Sequence, residues 1–109
     1  MVLYSENHIW LDRENNTLGL SEFAVRVLGG VEHFELCGNG DLIRADEPFG
    51  SLESAKMVME LISPVSGRVV AVNRYPSGTD WLLEIEPGAS IGKMMDKEEY
   101  DAFVAKFFA

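Results

Sequence analysis

Turn signals recur along the chain at short intervals, and this spacing constrains the fold more than any other feature. They are clusters of Asn, Gly, Pro and Ser found at 15–16, 38–41, 64–67 and 76–78. Between them, Phe34 and Leu36 alternate with His33 and Glu35, which is typical of a strand with one face in water. The sequence therefore predicts a mainly β fold of short antiparallel strands, a compact sandwich or flattened barrel.

Two later segments extend this pattern. Leu83 and Ile85 alternate with neighbouring glutamates, as in a half-exposed strand. The segment 69–72 reads Val-Val-Ala-Val, so the residues that would point to either face of a strand are all apolar. We therefore expect that strand to be covered on both faces.

Two helices are predicted to interrupt the strands. Ser21 is a suitable N-cap for a short helix, and Gly29-Gly30 supplies the left-handed residue that ends it. Asp96 followed by Glu99 predicts a capping box at the start of a C-terminal helix. Four apolar residues at helical spacing form its docking stripe: Tyr100, Phe103, Val104 and Phe107.

Size and charge exclude several classes of function. A chain of 109 residues with 47% hydrophobic residues suits one domain, which we assign to residues 1–109. The formal charge of −9 argues against nucleic acid and anionic membranes as partners. No apolar run approaches membrane-spanning length, and the first residues do not resemble a signal or transit peptide. We therefore expect a cytoplasmic protein, monomeric and without a metal site, whose lone Cys37 forms no internal disulfide.

Lys56 is the one candidate for special chemistry. It is the only lysine before Lys93 and lies between two predicted strands, where a hairpin would expose its amine to a modifying enzyme. Glu53 and Ser54, just before the lysine, are candidates for recognition and for hairpin shape. Gly67 joins them, because a glycine allows the backbone to turn or approach a neighbour closely.

The segment Glu53-Ser54-Ala55-Lys56, followed by Ser63-Pro64-Val65-Ser66-Gly67, resembles the lipoyl-attachment segment of glycine cleavage H proteins, including the spacing from lysine to glycine. The resemblance continues outward over nearly the whole chain, at His8-Ile9-Trp10, 18–24, Leu28-Gly29, 31–36, 46–50 and Trp81-Leu82-Leu83. Two features depart from the family pattern. Met57 stands where alanine is usual, and residues 74–80 replace a longer loop.

The resemblance implies a lipoyl/biotinyl-type β fold and a carrier that is not itself an enzyme. Lipoate would be attached by an amide bond to Lys56, through a lipoate ligase or lipoyl transferase. The arm would shuttle an aminomethyl group between glycine decarboxylase and aminomethyltransferase, and dihydrolipoamide dehydrogenase would reoxidise it.

Three alternatives remain open at this point. A biotinyl carrier also has glutamate three residues before its lysine and methionine after it, as Glu53 and Met57 supply. It normally has methionine before the lysine too, where this chain has Ala55, so lipoyl is preferred. The short segment 74–80 is compatible with a specialised H-like carrier or lipoyl relay outside glycine cleavage. An unmodified acidic interaction module is the third alternative.

Overall fold

The computed structural model describes residues 1–108, which form ten strands, two α helices and a final 3-10 turn. The strands are β1 Val2–Tyr4, β2 Ile9–Asp12, β3 Thr17–Leu20, β4 His33–Leu36, β5 Leu42–Ile43, β6 Pro48–Glu53, β7 Val58–Ile62, β8 Val65–Val72, β9 Trp81–Ile85 and β10 Ser90–Ile91. The helices are α1 Glu22–Leu28 and α2 Lys97–Ala105, and the 3-10 turn is Lys106–Phe108.

The strands form two antiparallel sheets. The larger has the order β1-β2-β3-β9-β8-β10, with the short β5 also paired to β8, and the smaller has the order β4-β6-β7. Sequential neighbours pair by hairpins at β1–β2–β3, β6–β7 and β8–β9. The prediction of a mainly β fold with a short helix and a C-terminal helix is confirmed.

One apolar core joins the two sheets and α1. Leu52 and Leu61 from the smaller sheet are fully buried with Leu18 and Leu83 of the larger sheet, and Leu28 brings α1 into the same cluster. Burying one such side chain stabilises the fold by roughly 1.5–3 kcal/mol. The core therefore fixes the position of the β6–β7 hairpin relative to both the larger sheet and α1.

Both helices begin as the sequence predicts. The Ser21 hydroxyl accepts the Ala24 N–H at the start of α1, and Gly29 ends that helix with φ 71°. Asp96 and Glu99 make both bonds of the capping box, at 2.8 and 3.0 Å. The C-terminal stripe is shorter than expected, because α2 ends at Ala105.

Within that stripe only Tyr100 is buried, whereas Phe107 lies in the 3-10 turn with 60% of its surface exposed. The expectation that segment 69–72 is covered on both faces is also wrong. Val69 is fully buried, but the register with β9 shifts between Val69 and Ala71, and Val70 points outward with 38% exposure. Successive strand residues point to opposite faces, so Val70 lies on the face opposite Val69, and that face is only partly covered.

Candidate functional site

Lys56 lies at the tip of the β6–β7 hairpin, as the sequence predicts. The two strands pair up to Glu53 opposite Val58, and residues 54–57 form the connecting turn. Lys56 is exposed, while Leu52 next to the turn and Leu61 farther along the hairpin are buried in the core. The arrangement presents a primary amine to solvent on a hairpin that is anchored by its buried side chains.

Ser54 closes the turn through its side chain. Its hydroxyl oxygen accepts the backbone N–H groups of Lys56 and Met57, both at 3.2 Å, and donates to the Met57 carbonyl at 3.2 Å. The Ser54 N–H donates to that same carbonyl at 2.9 Å. Because Ser54 is 6% exposed, this hub sits beneath the turn and sets the direction in which Lys56 leaves it.

The Lys56 side chain reaches the C-terminal end of α1. Its ammonium Nζ donates to the Val27 carbonyl at 2.9 Å. Gly29 borders the lysine: a Cβ on that residue would lie 4.0 Å from the Lys56 Cε, at ordinary van der Waals distance. Helix C-terminal carbonyls carry partial negative charge and favour a cation. Lys56 lies 29 positions after Val27 in the chain, and no pattern in the sequence indicates this contact.

Exposed apolar and acidic side chains surround the lysine. Val27, Met57 and Val58 are 49%, 50% and 66% exposed. Glu53 is exposed beside them, and within residues 1–108 its carboxylate makes no hydrogen bond or salt bridge. Its carboxylate is therefore available to an approaching partner.

Gly67 lies apart from the hairpin, in β8 of the larger sheet and opposite Ile43 of β5. A Cβ at this position would come within 2.8 Å of the Ala89 Cβ and 3.0 Å of the Ile85 Cγ2. The glycine is thus needed for close approach between β8 and the segment after β9. Any influence of Gly67 on Lys56 has to pass through the packing of the sheets.

A second polar cluster, which the sequence did not reveal, ties α2 to α1. The Tyr100 hydroxyl lies 2.8 Å from His8 Nδ1 and 2.7 Å from the Ser21 hydroxyl. The Phe23 ring packs against the imidazole of His8 in a tilted arrangement, with ring centroids 5.3 Å apart and an angle of 38° between the planes. Burial lowers the pKa of His8, and burial raises the pKa of the Tyr100 phenol. Both groups are therefore held neutral near pH 7, and they act in docking the helix.

The remaining candidate groups offer little chemistry. Burial, and to a lesser degree the charge of Asp41, raises the pKa of the Cys37 thiol, so the reactive thiolate is disfavoured. In residues 1–108 no three His, Cys, Asp or Glu side chains are arranged to hold a metal ion. Neither helix in the same range has the length and apolar character of a membrane span.

The sequence matches one protein family along nearly its full length. A family model described as glycine cleavage H-protein matches residues 2–107. The glycine cleavage system H protein of Oceanobacillus iheyensis is 36% identical over 118 aligned residues, covering 94% of this chain and 94% of the relative. That of Brevibacillus brevis is 39% identical over 116, covering 93% and 92%. Both alignments are longer than the chain's 109 residues, so they contain positions at which this chain has gaps.

A solved structure agrees with the sequence comparisons. The crystal structure of a glycine cleavage system H protein from Mycobacterium marinum superposes with a TM-score of 0.83. The match covers 95% of this chain and 96% of that chain, at 27% sequence identity. The likeness therefore includes both sheets and the helices that flank them.

Proposed function

The chain belongs to the glycine cleavage H-protein family, and from that premise we propose that it is a lipoyl carrier whose arm is joined by an amide bond to Lys56. Proteins of this family are carrier components of the glycine cleavage system and not catalysts. The observation that carries the assignment to Lys56 is the exposed amine at the tip of a hairpin closed by Ser54.

The residues around Lys56 fit a lipoyl group. The amine is exposed and Ser54 closes the turn with hydrogen bonds, so a ligase or transferase can reach Nζ without opening the domain. In the neutral form, Nζ attacks the carbonyl carbon of an activated lipoyl donor. A C–N bond forms, the donor's leaving group departs with the bonding electrons, and the nitrogen loses a proton. Val27, Met57 and Val58 offer apolar surface beside the new amide.

The protein's own part in carriage is to present and orient the arm. When bound, lipoate supplies a dithiolane that accepts a one-carbon amine and delivers it to the next enzyme. Ser54 and the buried Leu52 and Leu61 of the hairpin hold the attachment point still, while Glu53 gives a partner enzyme a charged contact. Lysine and lipoyl together span roughly 14 Å by covalent bond lengths, so the reactive end can move while the domain stays docked.

The partners we propose are a lipoate ligase or lipoyl transferase for attachment, and glycine decarboxylase, aminomethyltransferase and dihydrolipoamide dehydrogenase for the cycle. The formal charge of −9 favours docking to basic surfaces on these enzymes. We propose further that residues 1–109 act as one monomeric domain in the cytoplasm.

A glycine–bicarbonate exchange assay tests this function. Lipoylated protein is mixed with glycine decarboxylase from the same organism, and exchange of labelled bicarbonate into glycine is measured. We expect exchange with the wild-type protein and none with Lys56→Arg, which keeps the charge but cannot form the lipoyl amide. Exchange supported by Lys56→Arg would refute the assignment.

A second function is favoured by the short segment 74–80, which passes through a tight turn at Ser77–Asp80. If the longer family loop helps dock the decarboxylase, this chain would relay lipoyl groups to other acceptor proteins. The same assay separates the two functions. A rate of exchange near that of a longer H protein would refute the relay function. Transfer of the lipoyl group to another acceptor, without any exchange, would refute a role in glycine cleavage.

A further inference from the structure

The contact between Lys56 and α1 joins the attachment atom to a part of the molecule distant in sequence. Nζ donates to the Val27 carbonyl at 2.9 Å. Val27 lies in the last turn of α1, where carbonyls have no partner within the helix. We infer that the C-terminal end of α1 is a positioning element for lipoylation: the Val27 carbonyl holds the Lys56 nitrogen in place before, during and after acyl transfer. This inference rests on the proposed function.

The number of N–H donors on the lysine nitrogen allows its hydrogen bond to the Val27 carbonyl to last through the reaction. A lysine ammonium has three N–H donors and a neutral amine has two. The amine can therefore donate one N–H to Val27 while its lone pair points away, toward the acyl donor. The product amide keeps one N–H. The same carbonyl can accept a hydrogen bond in all three states, so it restricts the nitrogen's position without blocking its reaction.

The shape of the helix end is suited to this role. Gly29 adopts φ 71° and donates its N–H back to the Arg26 and Val25 carbonyls, which leaves the Val27 carbonyl for Lys56. Gly29 also borders the Lys56 Cε, which a Cβ on the glycine would meet at van der Waals distance, 4.0 Å. Gly30 also has positive φ, at 100°, but a Cβ there would meet nothing within 4 Å. Only the first of these two glycines borders the lysine.

Carbonyl chemical shifts test the contact itself. The ¹³C chemical shift of the Val27 carbonyl is measured in the wild type, in Lys56→Met and in Lys93→Met. The last variant is the matched control, because it also removes one lysine but at a position far along the chain. We expect an upfield shift for Lys56→Met only, and a lipoylated wild type whose shift stays close to the unmodified one. An unchanged shift in Lys56→Met would refute the contact. If the lipoylated wild type has the same Val27 carbonyl shift as Lys56→Met, the hydrogen bond does not persist after lipoylation.

Lipoylation kinetics test the positioning. Asn tolerates left-handed backbone, so Gly29→Asn should keep the helix end while its side chain displaces Lys56 from Val27. Gly30→Asn is the more strained substitution, since φ 100° is farther from the left-handed minimum, yet it should leave Lys56 in place. We expect the lipoylation kcat to fall roughly threefold to tenfold for Gly29→Asn, the effect of one exposed hydrogen bond, with KM little changed.

The control decides whether the effect comes from the lysine contact. A near wild-type kcat for Gly30→Asn supports positioning, and equal losses in both variants would refute it because a damaged helix end would then suffice. If wild-type Lys56 accepts no lipoyl group at all, the proposed function fails. The carbonyl shifts would still report on the contact in that case, so the two failures are distinguishable.

Discussion

Replacing Ser54 with alanine should loosen the turn that presents Lys56 while leaving the rest of the fold intact. The substitution removes the acceptor for two backbone N–H groups and the donor to the Met57 carbonyl. All three distances are 3.2 Å, at the long end of the hydrogen-bond range. Each bond should therefore contribute about 0.5 kcal/mol, the low end of the usual values, giving a total loss of about 1.5 kcal/mol.

That loss has two measurable consequences. The melting temperature of a domain of this size should fall by roughly 7 °C. If the loss is confined to the turn, the closed conformation becomes about tenfold less favoured relative to open ones. The lipoylation kcat/KM of Ser54→Ala should fall by a similar factor, measured by the rate of mass shift with purified ligase.

Ser66→Ala is the matched control. The Ser66 hydroxyl also accepts a backbone N–H, that of Ala45 at 3.0 Å, but it lies in β8 away from the hairpin. We expect it to lower the melting temperature without slowing lipoylation. If Ser54→Ala is lipoylated at the wild-type rate while its melting temperature falls, the turn does not depend on Ser54 for presenting the lysine, and our reasoning is wrong.

Three other substitutions test separate contacts. Gly67→Val should lower the free energy of unfolding by about 1–3 kcal/mol, because its side chain would collide with Ala89; an unchanged denaturation midpoint would contradict the packing. Burial lowers the pKa of His8 from its ordinary 6.5. Because the unfolded chain then binds a proton more readily than the folded chain, the free energy of unfolding should drop as the pH falls below 6.5 and through the lower pKa of the folded state. His8→Asn should show a smaller drop in melting temperature than the wild type when the pH is lowered from about 7.5 to about 5.5, and an equal drop would exclude His8 as a source. Glu53→Gln should slow lipoylation with no change in melting temperature, because the carboxylate is exposed and unpaired within residues 1–108; an unaltered rate would remove its role in recognition.

Local features of the fold could be predicted from the sequence because their causes lie within a few residues. The Asp96–Glu99 capping box and the Ser21 cap depend on positions three apart, and both form as expected. The β6–β7 hairpin follows from a short turn between two apolar strands. The position of Lys56 at its tip could therefore be predicted from the order of residues alone.

Features that depend on tertiary contacts could not be predicted in this way. His8 and Tyr100 are separated by 92 residues, and nothing in either neighbourhood indicates that their side chains meet. The exposure of Val70 depends on which elements cover the outer face of β8, and a run of apolar residues does not indicate that cover. The placement of Gly67 against Ala89 likewise requires the fold of the larger sheet.

Attachment of the lipoyl arm to Lys56 is tested most directly by the mass of the protein made in a lipoate-replete host. Intact mass followed by peptide mapping identifies both the number of groups and the residue that bears them. We predict the mass of one lipoyl group, located on Lys56 and absent from Lys56→Arg. A lipoyl group on Lys93, Lys97 or Lys106, or a fully unmodified chain in the presence of active ligase and lipoate, would contradict this assignment.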